Sequence, residues 1–224
     1  MNGTTGLSVS KDFLVLLIAI SIAYYFINQR NEKKLPIINP CDLLHDVVAP
    51  ELRNKCRGHR IEDFEFYNQN GNYIKSSEIK GGIWVVEYFF ATCKGICPTM
   101  NSQLKRVQKA YKDDESVKIM SFTVDPENDT IEALKKYAVE HNAIDGKWHF
   151  FTGDRADLYE LARKSFFILK PAEAENLDYA GGDFMHTNNF VLIDSQRRIR
   201  GYYDGTNPDE VDELIADIRI LQSE

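Results

Sequence analysis

The stretch GIWVVEYFFATCKGICPTMN, residues 82–101, joins a largely apolar run to Cys93 and Cys97, with Pro98 directly after the second cysteine. The run is β-branched and aromatic, the composition of a strand buried on both faces of a central sheet. Past Pro98, Met100, Leu104, Val107 and Tyr111 recur at helical spacing. Proline suits the first turn of a helix, where its missing N–H costs nothing. The two cysteines therefore occupy a strand-to-helix corner, and the fold is read outward from it.

Upstream, residues 61–82 alternate apolar and polar side chains around Asn70-Gly71, a hairpin signal with a short strand on either side. Downstream, SVKIMSFTVD reads as a second buried strand ending near Asp125, and PENDTIEALKKYAVEH as a helix with Ile131, Leu134 and Ala138 on one face. KWHFFTG is a strand, and DRADLYELARKSF is a helix with Asp154 placed to cap it. A loop covers about 167–187. NNFVLIDSQRRIRGYYDG then gives two strands joined at Ser195-Gln196, and a last helix starts at Pro208 with Val211, Leu214, Ile215 and Ile218 on one face. Strands alternating with helices, closed by an antiparallel pair and a helix, predict an α/β fold with a mixed central sheet flanked by helices. In such sheets functional groups collect at the carboxyl ends of the strands, which is where the cysteines stand.

Three roles compete for that pair. A structural disulfide between cysteines four apart closes only a tiny loop and adds little stability. A helix N-terminus favours negative charge, so at least one thiol is expected to have a depressed pKa and thiolate character, which redox chemistry and metal ligation both need. Thioredoxin-type oxidoreductases space their cysteines by two residues and carry a proline just before a later strand. Here three residues intervene, and the chain before NNFVLID reads DFMHTN, offering His186 where that proline would stand. Two thiolates and an imidazole suit copper, Cu(I) in particular. Zinc fits less well, because a structural zinc site takes four protein ligands and three are evident. A peroxidase-like reading lacks a proline ahead of Thr92 and Cys93.

TCKGICPTM, TVDPENDT and DYAGGDFMHTNNFVLID, in this order and spacing, resemble the Sco/SenC copper-chaperone family over roughly residues 60–221. The resemblance implies a thioredoxin-like fold tethered by one N-terminal transmembrane helix. It implies one copper ion, Cu(I) or Cu(II), bound per chain by Cys93, Cys97 and His186, with the two cysteines also a redox-active pair. Members of the family assemble the binuclear copper centre of cytochrome c oxidase, delivering copper or reducing the thiols that receive it; some serve redox signalling or other copper enzymes. The implied partners are the copper-bearing oxidase subunit, thiol reductants or other copper carriers, and the membrane. A thiol-disulfide oxidoreductase without a stable metal is the alternative. Asp125 falls in the family's acidic element, with a supporting or partner-docking role rather than that of a ligand. The chain departs from the family at Met185, where an aspartate often precedes the histidine; Asp183 lies three residues before His186. Asp178, Tyr179, Gly181 and Gly182 point to a mobile loop carrying the histidine.

The remaining segments frame this domain. The chain has 224 residues, 43% hydrophobic and 27% charged, enough for one globular domain with extensions. A formal net charge of -7 with scattered Lys and Arg argues against nucleic acid as a partner. Residues 1–12 form a short tail and 13–28 a transmembrane anchor. Its uncharged core spans only about 22 Å as a helix, so flanking residues must help it cross. A signal peptide is the competing reading, and no small-x-small cleavage site follows. Residues 29–58 read as a linker holding Cys41 and Cys56, which either pair in an oxidising compartment or stay free. A second metal site near them using His45 and His59 matches no standard spacing. Residues 59–224 form the thioredoxin-like copper-binding domain. Arg30, Lys33 and Lys34 after the anchor, against Lys11 before it, would place that domain in the cytoplasm. A dithiol serving a respiratory oxidase instead belongs on the extracytoplasmic, periplasmic side, and that placement is preferred.

Overall fold

The structure, a computed structural model, describes residues 13, 15–22, 34–79, 81–168 and 188–224. The chain divides into two units, Met1–Lys34 and Leu35–Glu224. In the first, residues 15–22 are helical and their apolar side chains, Leu16, Ile18 and Ile22 among them, are exposed. Among the described residues no helix is long and apolar enough to cross a membrane. Positions 14 and 23–28 of the expected anchor lie outside the described residues.

The second unit is built on a seven-stranded sheet among the described residues, in the order β2-β1-β5-β4-β3-β6-β7. The strands are β1 (Glu65–Asn68), β2 (Tyr73–Lys75), β3 (Ile83–Phe89), β4 (Val117–Thr123), β5 (Trp148–Thr152), β6 (Asn189–Ile193) and β7 (Ile199–Asp204). The helices are α1 (Cys97–Ala110), α2 (Ile131–Glu140), α3 (Arg155–Glu160, continued by one π-helical turn, Leu161–Ser165) and α4 (Pro208–Ser223). β3, β4 and β5 are parallel, while β1 and β6 join this core antiparallel, giving the mixed sheet expected. Gly71 turns the β1–β2 hairpin at φ +75°, a conformation glycine adopts without strain.

Both faces of the sheet are covered, which is why β3 and β4 are buried at every position. On one face Ile83, Val85 and Phe89 of β3 pack with Met100, Leu104 and Val107 of α1, Leu134 of α2, and Val211, Leu214 and Ile218 of α4. On the other, Trp84, Val86 and Tyr88 meet Leu158 of α3 and the aromatic group Phe64, Phe66, Phe122, Phe151 and Phe166. Phe122 lies at the centre of that group, its ring 5.0 Å from Phe151 and 5.3 Å from Tyr88.

Two boundaries differ from the sequence expectation. The helix assigned to PENDTIEALKKYAVEH starts only at Ile131, where the Thr130 side chain caps Ala133 N–H. Residues 126–129 instead form a turn in which the Asp125 carbonyl accepts the N–H groups of Asn128 and Asp129. Residues 35–58, expected as linker, belong to the domain. Ile38 bridges Ile199, and the buried Arg200 guanidinium donates to the carbonyls of Leu35 and Pro36 while pairing with Asp194 and Glu224. Cys41 and Cys56 form a disulfide with their Cα atoms 5.0 Å apart.

Candidate metal centre

Cys93 and Cys97 lie where the sequence placed them. β3 ends at Phe89, Cys93 N–H closes a turn on the Phe90 carbonyl at 3.2 Å, and α1 begins at Cys97 with Pro98 in its first turn. Both are free thiols, Cys93 half-buried and Cys97 buried at 3% exposure. Their sulfurs are close enough to share a hydrogen bond. Of the two thiols, at least one of which is expected to be depressed by the helix N-terminus, Cys97 is not the depressed one. Burial pushes it well up, the Cys93 hydrogen bond adds to the rise, and a main-chain hydrogen bond from Phe90 opposes it. Desolvation of a thiolate outweighs the helix end.

The loop carrying Cys93 is held by a residue the sequence reading did not single out. Both oxygens of the Asp129 carboxylate accept Ala91 N–H, at 3.2 and 3.1 Å, and Asp129 also accepts the Thr123 hydroxyl. Thr123 Oγ1 in turn accepts Asp125 N–H at 2.9 Å. Asp129 is 1% exposed, and burial raises its pKa against the hydrogen bonds from Thr123 and Ala91. Asp125 turns its own carboxylate to Asn128, at 2.8 Å, and towards Arg155, at 3.8 Å. The acidic pair four residues apart in DPEND was the available signal, since one turn brings both back beside the strand end.

Beneath the cysteines lies a buried polar group inside the apolar core. Glu87 of β3 is 1% exposed and accepts the Ser121 hydroxyl at 2.5 Å; Ser121 Oγ accepts Trp148 Nε1–H at 2.8 Å. Burial pushes the Glu87 carboxyl up to about 7, opposed by Ser121. One turn along α1 from Cys97, Asn101 is fully buried and its amide donates to the Tyr137 hydroxyl at 2.5 Å, while its Oδ1 has no partner among the described residues.

His186, the third expected ligand, lies outside the described residues, as do Asp178, Tyr179, Gly181, Gly182, Asp183 and Met185. Among the described residues no group of three or more His, Cys, Asp or Glu side chains could hold a metal ion. His59 is a core residue: its Nε2–H donates to the Ser165 carbonyl at 2.8 Å, its ring lies 4.7 Å from Phe167, and burial lowers its pKa. What the corner offers is two adjacent sulfurs, able to bind a soft metal ion or to close a disulfide.

A mixed α/β sheet with a dithiol at the strand-to-helix corner defines a thioredoxin-like thiol or metal protein. The family model described as SCO1/SenC matches residues 54–222, and the chain belongs to that family. The SCO1 protein homolog of Bacillus subtilis (strain 168) is 32% identical over 164 residues, covering 72% of this chain and 82% of the relative. The solved structure of BsSco, described as a member of the Sco family of cytochrome c oxidase assembly proteins, superposes with a TM-score of 0.62 at 30% identity, covering 74% of this chain and 94% of that one. ScoI of Bradyrhizobium japonicum with copper bound shares the fold, with a TM-score of 0.55 at 23% identity over 71% of this chain and 98% of that one.

Proposed function

We propose that this chain is a membrane-tethered copper carrier that delivers copper to the copper-bearing subunit of cytochrome c oxidase, with Cys93, Cys97 and His186 as its ligands. The observation that carries the reading is the pair of free thiols brought together at the end of β3, on a chain of the SCO1/SenC family. Copper is cargo here. Two thiolates hold Cu(I) well, and binding it displaces the proton that burial favours on Cys97. His186 sits on the segment between α3 and β6, so it is the ligand whose release would open the site for transfer.

The extracytoplasmic placement is supported by the Cys41–Cys56 disulfide, which persists in an oxidising compartment and outweighs the charges flanking the apolar segment. Residues 13–28 would supply the tether.

A second reading is thiol-disulfide exchange with partner cysteines, favoured by the same adjacency of the sulfurs. Closing the Cys93–Cys97 disulfide releases two electrons and two protons, which reduce a partner disulfide to two thiols. The experiment that separates the readings mixes the copper-loaded, reduced chain with the metal-free copper-bearing oxidase subunit, its thiols already reduced. Appearance of copper in the subunit, with no new disulfide in the chain, supports delivery. Copper retained by the chain, together with reduction of an oxidised subunit by the metal-free chain, supports thiol exchange instead.

A further inference from the structure

Away from the cysteine corner, the segment that leads into β1 folds against β7 to form a crevice of about 270 Å³. Arg57, Arg60 and Arg198 line it, with Ile37, Asn39 and His59 as its walls. Three arginines lining one opening stand out on a chain of net charge -7. Arg198 is matched by Asp194 at 2.7 Å. Arg57 and Arg60 have no carboxylate partner among the described residues; Arg60 is steadied by the Gln196 carbonyl. The main-chain N–H groups of Gly58 and Arg60, two of the lining residues, also donate to no acceptor among the described residues. Arg198 and Arg60 already have these partners, so the donors the crevice leaves open are Arg57, the remaining N–H groups of Arg60 and the two main-chain N–H groups.

We propose that this crevice binds a phosphate group. Guanidinium groups make charge-assisted, often bidentate hydrogen bonds to the unesterified oxygens of a phosphate, free or in a diester. The walls leave room for part of an ester substituent. Two sources carry that chemistry: free phosphate, and the phosphodiester of a membrane lipid. The lipid source rests on reading residues 13–28 as the anchor.

The test uses the full chain in an uncharged detergent at low salt. It is titrated by calorimetry with inorganic phosphate, with dihexanoyl phosphatidylglycerol, and with the zwitterionic dihexanoyl phosphatidylcholine. The comparison is Arg57→Ala/Arg60→Ala, two exposed positions, with an unchanged melting temperature as the check on folding. Saturable binding of phosphate or phosphatidylglycerol that weakens at least roughly tenfold in the double variant supports the site. Tighter binding of phosphatidylglycerol than of phosphate identifies the lipid as the source, and equal or weaker binding identifies free phosphate. No binding of either anion by the unaltered chain, or equal binding by the double variant, overturns the proposal whatever the copper chemistry proves to be.

Discussion

Asp129 holds Ala91: the main-chain N–H two residues before Cys93 is bound by both oxygens of a buried carboxylate 38 positions further along the chain. Through this contact the DPEND turn sets the course of the loop that presents the first sulfur. Asp129→Ala would leave Ala91 N–H and the Thr123 hydroxyl unpartnered, at a cost of about 2–3 kcal/mol in unfolding free energy. Asp129→Asn, which keeps an acceptor oxygen, should lose less. Urea denaturation gives the stabilities, and a copper-affinity loss in Asp129→Ala measured under folding conditions shows that the loop position matters beyond stability.

Glu87 should make stability fall with rising pH. Its carboxyl is pushed up to about 7 from 4.5 by burial, so the folded state holds the proton more tightly than the unfolded state. That contribution is fully present below about 4.5 and is lost as pH rises through about 7. At about 1.4 kcal/mol per tenfold, the loss is on the order of 3 kcal/mol. Glu87→Gln should flatten the slope of unfolding free energy between pH 5 and 8. An unchanged slope would mean that the carboxyl does not titrate in this range.

The two thiols should react at different rates. Cys97 is buried and Cys93 half-exposed, so iodoacetamide is expected to label Cys93 at least roughly tenfold faster in the folded protein, with Cys97 labelled on unfolding. Mass spectrometry of a time course reads this directly. Equal rates would place Cys97 nearer the surface than its packing allows.

The Cys41–Cys56 bridge closes a loop with a sequence separation of 15, for which chain entropy gives about 3 kcal/mol. Replacing both cysteines by serine should cost about 2–3 kcal/mol and loosen residues 41–56 towards proteolysis. An unaltered denaturation midpoint would show that the packing of Val48 and Ala49 suffices to hold this segment.

How much of this was legible in the sequence depended on the range of the interaction. β3, α1 and the hairpin at Gly71 follow from local pattern, and the cysteines follow from their place between a buried strand and Pro98. Glu87 was hidden as a single polar residue in an apolar run, because its meaning comes from Ser121 and Trp148 on neighbouring strands. That Cys97 is not the depressed thiol was not legible, because a helix N-terminus is visible in sequence while the depth of burial is not. Residues 35–58 read as a linker because the groups that hold them, Arg200 above all, lie far along the chain. Asp129 was missed for the same reason, although its spacing from Asp125 was in plain view.

The proposed copper ligands are Cys93, Cys97 and His186. The most direct measurement is the copper content and the thiolate-to-Cu(II) absorption of the reduced chain, purified without air, beside His186→Ala, Cys93→Ala and Cys97→Ala. One tightly held copper per chain is expected in the unaltered protein, sharply weakened in all three variants, with the thiolate bands lost when either cysteine is removed. Full copper binding by His186→Ala would contradict the third ligand. Absence of specific copper binding in the unaltered protein, with Cys93 and Cys97 still closing a reversible disulfide, would contradict the carrier itself.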